Sequence, residues 1–549
     1  MLREIINFTS DLAPELLIRD VQPSEGLQIM IWLTKSGKLE NYDYKPFKKN
    51  QEVTPFLKEC LMREINSKCV SMNKALDSKK KIHSCSPFCV AFKFKTFKSG
   101  EANQRYDNYF EVAKSYCQTK EQEKWTDLLY KFCKMDIDKF IEKIRKEIEE
   151  SREDKRQFKF SDNHYIWVYL GNISISEFEQ VHQNYLCCKV FNKEEFNVKQ
   201  NGKTFGVSDY LTGYNQKKPF LQHLTASFDV NNRVSSEDAL WLYRFSQLKA
   251  NNQLPNPLPI FIEKRELNQE VVEIFNRDKD IKISYSQIIE AIYQKYQDLG
   301  NYYLLNIQGK AVKDFDFVSS FSFHLDPPVR IQPLFIESGS LVNSGPIRNI
   351  FEFEREIVWR IFNNQLVQKI KDGGWRYRYF DDIGFKPQYM SATTFQLILK
   401  YRKAFYDFIY KSKRETVNNR MFHDIMQTSI LDDLGKDEQH NKSFTIKEKL
   451  NIWFSLYEFF DQSLKKGEND TMANQVVYLQ ERMKEVTQQR ETHITNDNEF
   501  AFAAGQVIYF LLDQSETANK THALLEPFLQ KNDCEQLKTA ISRTLDRYK

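Results

Sequence analysis

Residues 338–346, Ser-Gly-Ser-Leu-Val-Asn-Ser-Gly-Pro, separate two parts of this 549-residue chain that differ in character. Small polar residues, glycines and a closing proline are typical of a linker. A chain of this length is too long for one hydrophobic core, so two to four domains are expected. We therefore predict an α+β fold. A mixed α/β body occupies residues 1–345, which can contain a further boundary near 160, and a helical bundle follows over 346–549.

Strand and helix patterns alternate upstream of the linker. Residues 27–34 read as a strand, and 35–38 read as the turn of a hairpin. Residues 89–97 alternate in polarity and predict a second strand, and 165–170 predict a buried third strand. Between these strands, 136–154 carries an apolar stripe at helical spacing. The stripe consists of Ile137, Phe140, Ile141, Ile144 and Ile148.

Strand-like and loop segments dominate residues 171–345, with one helix predicted near 235–249. Ser235 can cap that helix, because a serine side chain accepts from the free N–H groups of the first turn. Residues 315–325 alternate as a strand that we expect to end at Pro327-Pro328.

The part that follows the linker is poor in proline and rich in helical periodicity. Only Pro387 and Pro527 occur after Pro346. Helices are predicted near 350–371, 391–416, 446–465, 471–489, 498–513 and 535–548. Short breaks between such helices favour a bundle.

Composition limits the classes of protein that fit. Lys and Arg number 79 against 75 Asp and Glu, a formal net charge of +4. A free-standing DNA-binding domain is usually more basic, so nucleic acid would be met through local patches or within a complex. No apolar run approaches the roughly 20 residues of a membrane helix. The first residues lack a signal-peptide core. A cytoplasmic protein is expected, with its nine scattered cysteines reduced.

Two groups of residues invite a metal-site interpretation. His83, Cys85 and Cys89 lie close together, and Cys187-Cys188 are adjacent, but a structural zinc site normally needs two well-spaced ligand pairs. The dipeptide His423-Asp424 suggests a metal-dependent phosphohydrolase, which would need further ligands on neighbouring helices.

Neither a Walker loop nor a nucleophile elbow occurs. No cofactor, metal or catalytic residue is predicted. Incidental thiols and a chance dipeptide are the default interpretations of the two groups.

The segment FGVSDYLTGYNQKKPFLQHLTASFDVNNRVSSEDALWLYRFSQLKANNQLPNPLPIFIEKREL, residues 205–267, mixes amides, basic residues and aromatics among turn signals. In its loop 213–219, two amides match base edges and a lysine pair can neutralise phosphates. A solvated surface loop is an equal alternative. The candidate DNA contacts are Asn215, Gln216, Lys217, Lys218 and Arg233.

A second basic group lies in the helical half. It consists of Lys411, Lys413, Arg414 and Arg420. Such a run is usually a solvated helix face, and it could equally follow a single strand of DNA.

The order of three motifs carries a family resemblance: GVSDYLTGYNQKKPFLQHLTASFD (206–229), SSEDALWLYRF (235–245) and LPNPLPIFI (254–262). With the tail from 502 to 549, they resemble the large subunit of type I-B CRISPR Cascade surveillance complexes. The resemblance covers roughly 200–270 and 350–549. Members often carry a four-cysteine zinc motif, from which this chain departs.

The resemblance implies a non-catalytic subunit that recognises the protospacer-adjacent motif in target DNA and promotes R-loop formation in antiviral defence. The implied partners are crRNA, target double-stranded DNA, Cascade backbone and crRNA 5′-end subunits, small subunits and a helicase-nuclease effector, with no membrane. It also implies that the C-terminal helical domain is small-subunit-like and lies along the displaced strand. A separate small subunit from an internal start at Met390 or Met421 is a further hypothesis.

Two alternatives stay open. The chain is a structural subunit that contacts only protein and guide RNA, or it is a metal-dependent nuclease that uses His423 and Asp424.

Overall fold

The computed structural model describes most of the chain in two compact units. Residues outside the description are 20, 50, 151–157, 213–224, 229, 231, 279–282, 310, 336–344, 371–373, 382–389, 461–471, 490–491, 515–521, 532 and 549. The first unit comprises 1–260 and 265–284, and the second comprises 261–264 and 285–549. The fold is α+β, as predicted, and its C-terminal region is helical. The boundary predicted at residue 345 stays a prediction, because most of its linker lies outside the described residues.

The first unit mixes helices with two small sheets. Its helices are α1 (Leu2–Asp11), α2 (Pro14–Ile18), α3 (Pro55–Ile65), α4 (Phe94–Lys98), α5 (Tyr106–Lys114), α6 (Lys120–Met135), α7 (Ile137–Glu150), α8 (Ile175–Lys189), α9 (Asp209–Thr212), α10 (Ser236–Ala250) and α11 (Glu266–Phe275). Its strands are β1 (Gly26–Leu33), β2 (Leu39–Phe47), β3 (Cys89–Lys93), β4 (Tyr165–Leu170), β5 (Val198–Gln200), β6 (Lys203–Gly206) and β7 (Val234–Ser235), and β8 (Leu258–Phe261) ends at the division between the units.

The core of the first unit is a four-stranded sheet with the order β2-β1-β4-β3. The predicted hairpin is confirmed: β1 and β2 pair antiparallel, while β1 and β4 pair parallel. The apolar stripe of α7 is buried in the same core, as its spacing predicts. Burying each large side chain of this kind contributes about 1.5–3 kcal/mol.

Gly26 lies where the backbones of β1 and β4 approach each other closely. Its φ of +138° lies in a region that L side chains rarely adopt. A Cβ built at Gly26 would lie 1.9 Å from the carbonyl oxygen of Tyr165. Only glycine therefore fits at the start of this parallel pair.

Two sequence predictions for the first unit are wrong. The strand predicted over 89–97 ends at Lys93, and α4 begins at Phe94, whose ring stacks on Phe160 with 4.9 Å between centroids. Residues 171–345 are also richer in helix than predicted, because α8 and α11 lie there. Helix α8 begins with a capping box between Ser174 and Glu177, which is a readable sequence signal.

The second unit is largely helical. Its helices are α12 (Tyr285–Tyr296), α13 (Ile350–Phe353), α14 (Trp359–Ile361), α15 (Ala392–Tyr410), α16 (Asn419–Leu434), α17 (Asp437–His440), α18 (Ser443–Leu456), α19 (Met472–Gln488), α20 (Asp497–Asp513), α21 (Glu526–Leu529) and α22 (Cys534–Tyr548). A π-helical turn (Glu354–Val358) joins α13 to α14. Among the described residues, the 3₁₀ turns are Met72–Lys74, Asn103–Arg105, Glu194–Phe196, Arg414–Thr416 and His522–Leu525.

In the described part of this unit, three antiparallel strand pairs accompany these helices. The strands are β9 (Tyr302–Gln308), β10 (Ala311–Val318), β11 (His324–Val329), β12 (Ile347–Asn349), β13 (Val367–Lys369) and β14 (Trp375–Tyr377). The pairs are β9 with β10, β11 with β12, and β13 with β14. The prediction that a strand ends before Pro327-Pro328 is wrong, since β11 includes both prolines.

The helices predicted for the C-terminal part are mostly confirmed, although the one near 350–371 ends at Ile361. Helix α16 was missed, and it packs against both α15 and α18. Among the described residues, no helix is long and apolar enough to cross a membrane.

Candidate nucleic-acid interface

The loop that carries most of the predicted DNA contacts falls outside the description. Asn215, Gln216, Lys217 and Lys218 all lie within the undescribed residues 213–224. The structure does describe the chain on both sides of that loop. These flanks determine how the loop is attached to the body.

A buried ion pair fixes the entry to the loop. Asp209, the first residue of α9, is fully buried, and its carboxylate lies 3.3 Å from Nζ of Lys74. The same Nζ donates to the carbonyl oxygens of Phe191 (2.6 Å) and Asn192 (2.8 Å). Burial lowers the pKa of Lys74, and the neighbouring Asp209 carboxylate opposes that shift. Each charge would be costly to bury alone, so the pair holds both segments in place.

Backbone pairing and ring packing reinforce the same entry. The N–H of Asp209 donates to Val190 O (2.9 Å), and the N–H of Asn192 donates to Val207 O (2.7 Å). One residue further along, the ring of Tyr210 meets Phe245 of α10 edge to face, with 6.0 Å between centroids. The chain therefore enters the loop from a packed position on α10.

The exit from the loop is held by the same part of the body. Val230 packs in a small apolar cluster with Phe196 and Val207. At the start of α10, the side chain of Ser235 accepts from the N–H of Asp238 (3.1 Å), which confirms the predicted cap. Since Val207 precedes residues 213–224 and Val230 follows them, one cluster joins the two flanks.

Arg233 is the one candidate contact that the structure describes. Its side chain is half-buried, and Nε donates to the carbonyl oxygen of Phe196 (2.8 Å). A guanidinium has five N–H donors in a planar fork, so this hydrogen bond orients the group and leaves other donors for a phosphate. Its role in binding DNA stays a prediction.

A basic hairpin that the sequence analysis missed lies beside this exit. Strands β5 and β6 are joined by Asn201 and Gly202, which have φ values of +50° and +74°. Two residues with positive φ form the tight turn that suits the twist of a hairpin. All residues from Lys199 to Lys203 are exposed. The Asn-Gly dipeptide was the signal that could have revealed the hairpin.

The hairpin is tied to the residues around Arg233. Strand β6 pairs with β7, so that Phe205 faces Ser235 and Gly206 faces Val234. In the described part of the chain, Lys199 and Lys203 form no ion pair. By contrast, Lys193 is paired with Glu195 at 2.6 Å. The small sheet therefore presents two unneutralised lysines next to the flanks of the loop.

The members of the second basic group differ in burial and in their partners. The ammonium of Lys411 is buried and pairs with Asp314 (2.6 Å), Asp407 (2.8 Å) and Asp316 (3.2 Å). Burial would raise the pKa of Asp316, but hydrogen bonds from Lys413 and Lys411 lower it to about 2. A solvated face is thus the wrong interpretation for Lys411. The remaining two members, Arg414 and Arg420, are exposed.

The residues of the nuclease alternative are engaged by other side chains. Asp424 accepts hydrogen bonds from Lys400 (2.8 Å) and Tyr401, which lower the pKa of its carboxyl. The ring of His423 packs against Trp453 with 5.0 Å between centroids. In the parts of the chain that the structure describes, no three His, Cys, Asp or Glu side chains are grouped to hold a metal ion.

The cysteines considered for zinc are dispersed over different environments. Cys187 and Cys188 lie on the exposed side of α8, while Cys85 and Cys89 are buried. Burial raises the pKa of both buried thiols, so they behave as apolar side chains in the core.

Comparison of the chain with protein-family models, with curated proteins and with solved structures finds no match. The chemistry of the interface therefore has to be read from its own residues. Those residues are the two anchored flanks of residues 213–224, a half-buried arginine in the second flank and an adjacent basic hairpin.

Proposed function

We propose that the chain is the non-catalytic large subunit of a type I-B CRISPR Cascade complex. In this role it recognises the protospacer-adjacent motif in target DNA, promotes R-loop formation and supports recruitment of a helicase-nuclease in antiviral defence. Its place would be the cytoplasm, with crRNA, the backbone and 5′-end subunits and small subunits as partners. The proposal rests on the motif order that resembles this family and on the geometry of the flanks of the loop.

The observation that carries the proposal is the anchoring of both flanks of residues 213–224. The Lys74–Asp209 pair holds the entry, and the cluster around Val230 joins the exit to the same body. Fixed ends lower the conformational entropy that a loop loses when it binds, so they favour recognition of a ligand.

The residue types in and beside the loop favour duplex DNA as that ligand. Lysines and Arg233 can contact phosphates and set the position of the duplex, and the amides of Asn215 and Gln216 can then reach base edges. The exposed hairpin adds Lys199 and Lys203 to the phosphate contacts. Phosphate contacts that position the duplex and amide contacts that read a few bases suit the recognition of a short motif. The guide RNA then reads the longer sequence by base pairing.

The test uses the assembled complex and a motif-bearing duplex. Replacing Lys217 and Lys218 with alanine should weaken binding and lower the slope of log K against log salt by roughly 1–2, because each phosphate contact releases counterions. The matched control is Lys98→Ala with Lys114→Ala. Each of those exposed lysines is paired with an aspartate, at 2.7 Å and 2.8 Å.

Wild-type affinity and an unchanged salt slope in the Lys217/Lys218 variant would contradict the proposal. Footprinting of the same complexes separates the structural alternative. If the variant loses guide RNA or partner subunits while its DNA footprint per assembled complex is unchanged, the loop docks on the complex rather than on DNA.

A further inference from the structure

A closed loop in the first unit brings two thiols together at its ends. Residues 70–84 leave the body and return to it, and an antiparallel bridge between Lys68 and Ser84 joins the two ends. Cys69 and Cys85 each follow one of the bridged residues. Because successive side chains of an extended segment point to opposite faces, the two cysteines lie on the same face of this short pair.

The two thiols make a reciprocal set of hydrogen bonds. Sγ of Cys69 donates to the carbonyl oxygens of His83 (3.3 Å) and Ser84 (3.5 Å). Sγ of Cys85 donates to the carbonyl oxygen of Lys68 (3.2 Å). Each thiol therefore lies at the carbonyl group that precedes the other cysteine, and the two side chains are also hydrogen-bonded to each other. The two sulfur atoms are thus direct neighbours.

The two thiols differ in their access to solvent. Cys69 is partly exposed, while Cys85 is buried. Burial raises the pKa of the Cys85 thiol well above its usual range, so Cys85 is a poor first target for an oxidant that attacks thiolates. A dissolved oxidant therefore reaches Cys69 first, and Cys85 is held beside it as the thiol that can resolve the oxidised sulfur.

The loop between the two cysteines holds other parts of the first unit. Asp77 is buried within it and accepts from the N–H of Lys81 (2.6 Å) and from Nε of Arg105 (2.7 Å). The loop also carries Lys74, whose ammonium holds the buried carboxylate of Asp209. A covalent bond at the loop ends would restrict local unfolding of this segment, because it removes entropy from the open states.

We propose that Cys69 and Cys85 form a reversible disulfide when the protein meets a hydroperoxide. The Cys69 thiolate attacks the O–O bond and becomes a sulfenic acid, while the departing oxygen takes up a proton and leaves as an alcohol, or as water from hydrogen peroxide. The Cys85 sulfur then attacks the sulfenic sulfur, the S–S bond forms, and the Cys85 proton leaves with the hydroxyl as water. The peroxide accepts the two electrons that the thiols lose.

Reversibility follows from the positions of the two cysteines. Diagonal neighbours in an antiparallel pair are about 7–8 Å apart, whereas a disulfide joins Cα atoms about 4.4–6.8 Å apart. Closing the bond therefore draws the loop ends together and stores strain, and a strained disulfide is easily reduced by thiol exchange. The inference goes beyond the proposed function, since it needs neither DNA nor residues 213–224.

The experiment uses the full chain and a small molar excess of hydrogen peroxide. Remaining thiols are alkylated, and the unfolded protein is digested with trypsin without reduction. Trypsin cuts inside the loop, so the disulfide should join peptide 69–74 to peptide 82–93, and dithiothreitol should release them. In the native protein, oxidation should slow tryptic cleavage after Lys79, Lys80 and Lys81 by roughly fivefold or more.

Four variants make the result specific. Cys69→Ser and Cys85→Ser should each lose the joined peptides. Cys89→Ser should keep them, although Cys89 is a buried thiol in the same tryptic peptide as Cys85. Cys117→Ser should keep them as well and is the matched control, because Cys117 is also partly exposed and its thiol meets the hydroxyl of Thr126 (3.5 Å).

Conversion of Cys69 to a sulfinic acid without joined peptides would overturn the inference, as would joined peptides that persist in Cys85→Ser. An unreacted Cys69 at a peroxide concentration that oxidises Cys117 would overturn it too. If Cys85→Ser does not fold, fragmentation of the joined wild-type peptides shows whether the bond is to Cys85 or to Cys89, and a bond to Cys89 contradicts the pairing. The experiment contains no nucleic acid, so its failure leaves the Lys217/Lys218 test unaffected.

Discussion

Lys199 and Lys203 on the β5–β6 hairpin and Lys411 after α15 are residues of one type in opposite surroundings. The hairpin lysines are exposed, and the described residues offer them no acid. Lys411 is buried among Asp314, Asp316 and Asp407. Two of these aspartates are more than 90 positions away in sequence. The availability of a lysine for a polyanion is thus decided by partners that fold next to it, and not by the basic run in which it stands.

The largest expected effect of this contrast is on the free energy of unfolding. Lys411→Met removes the buried cation that three carboxylates share, although Asp407 keeps Lys403 and Asp316 keeps Lys413. Removing one partner of a buried pair costs about 3–5 kcal/mol, and the remaining lysines place the expected loss at the lower end of that range. Lys199→Met changes an exposed side chain and should cost less than about 0.5 kcal/mol. Urea unfolding of the full chain measures both. Equal midpoints for the two variants would show that the buried cluster contributes nothing to stability.

Glu354 is a buried acid to which the described residues offer no paired cation, and it tests the contrast from the other side. Burial raises the pKa of Glu354 to about 8, although a hydrogen bond from Tyr379 Oη (2.8 Å) opposes the shift. The folded protein therefore holds a proton that the unfolded chain releases near pH 4.5. The stability from this group is fully present below pH 4.5 and is lost as the pH rises through about 8.

The expected loss is on the order of 3 kcal/mol between pH 5 and pH 8. Glu354→Gln carries no proton to lose, so its urea midpoint should fall less over that range. Asp316 has the opposite sign, because its pKa is lowered and its contribution disappears only as the pH falls toward about 2. If Glu354→Gln and wild type lose the same stability between pH 5 and pH 8, another group is responsible for that loss.

The smallest effect is expected for the hairpin itself. Lys199→Ala with Lys203→Ala should leave folding unchanged and lower the salt slope of duplex binding by roughly 1–2 in the assembled complex. The Lys98/Lys114 variant again serves as the control of equal charge. A slope identical to that of the control would place the hairpin away from the phosphates.

Local pattern was enough to predict several elements. The β1–β2 hairpin, the buried stripe of α7 and the cap at Ser235 all follow from residues close in sequence. Helix α8 was missed although its capping box was readable. Strand β3 was drawn too long because the alternation continues past Lys93, where the ring of Phe94 instead packs against Phe160.

The candidate interface shows where sequence reasoning ends. Residue types pointed to the loop and to Arg233, but they gave no sign of the Lys74–Asp209 pair that anchors the loop, since its partners are 135 positions apart. The same limit explains why Lys411 was grouped with its exposed neighbours. Both cases depend on tertiary contacts between charges, which local periodicity does not encode.

The close contact at Gly26 affects how a substitution scan of this chain should be interpreted. A complete substitution scan scored by the proposed antiviral activity would mark position 26 as intolerant, because any side chain there collides with the backbone of Tyr165. The intolerance at this position would reflect the pairing of β1 with β4 and would carry no information about DNA contact. Surface lysines such as Lys199 would tolerate most substitutions in a scan for folding and fewer in a scan for activity. Comparing the two scans position by position would separate the scaffold from the contact surface.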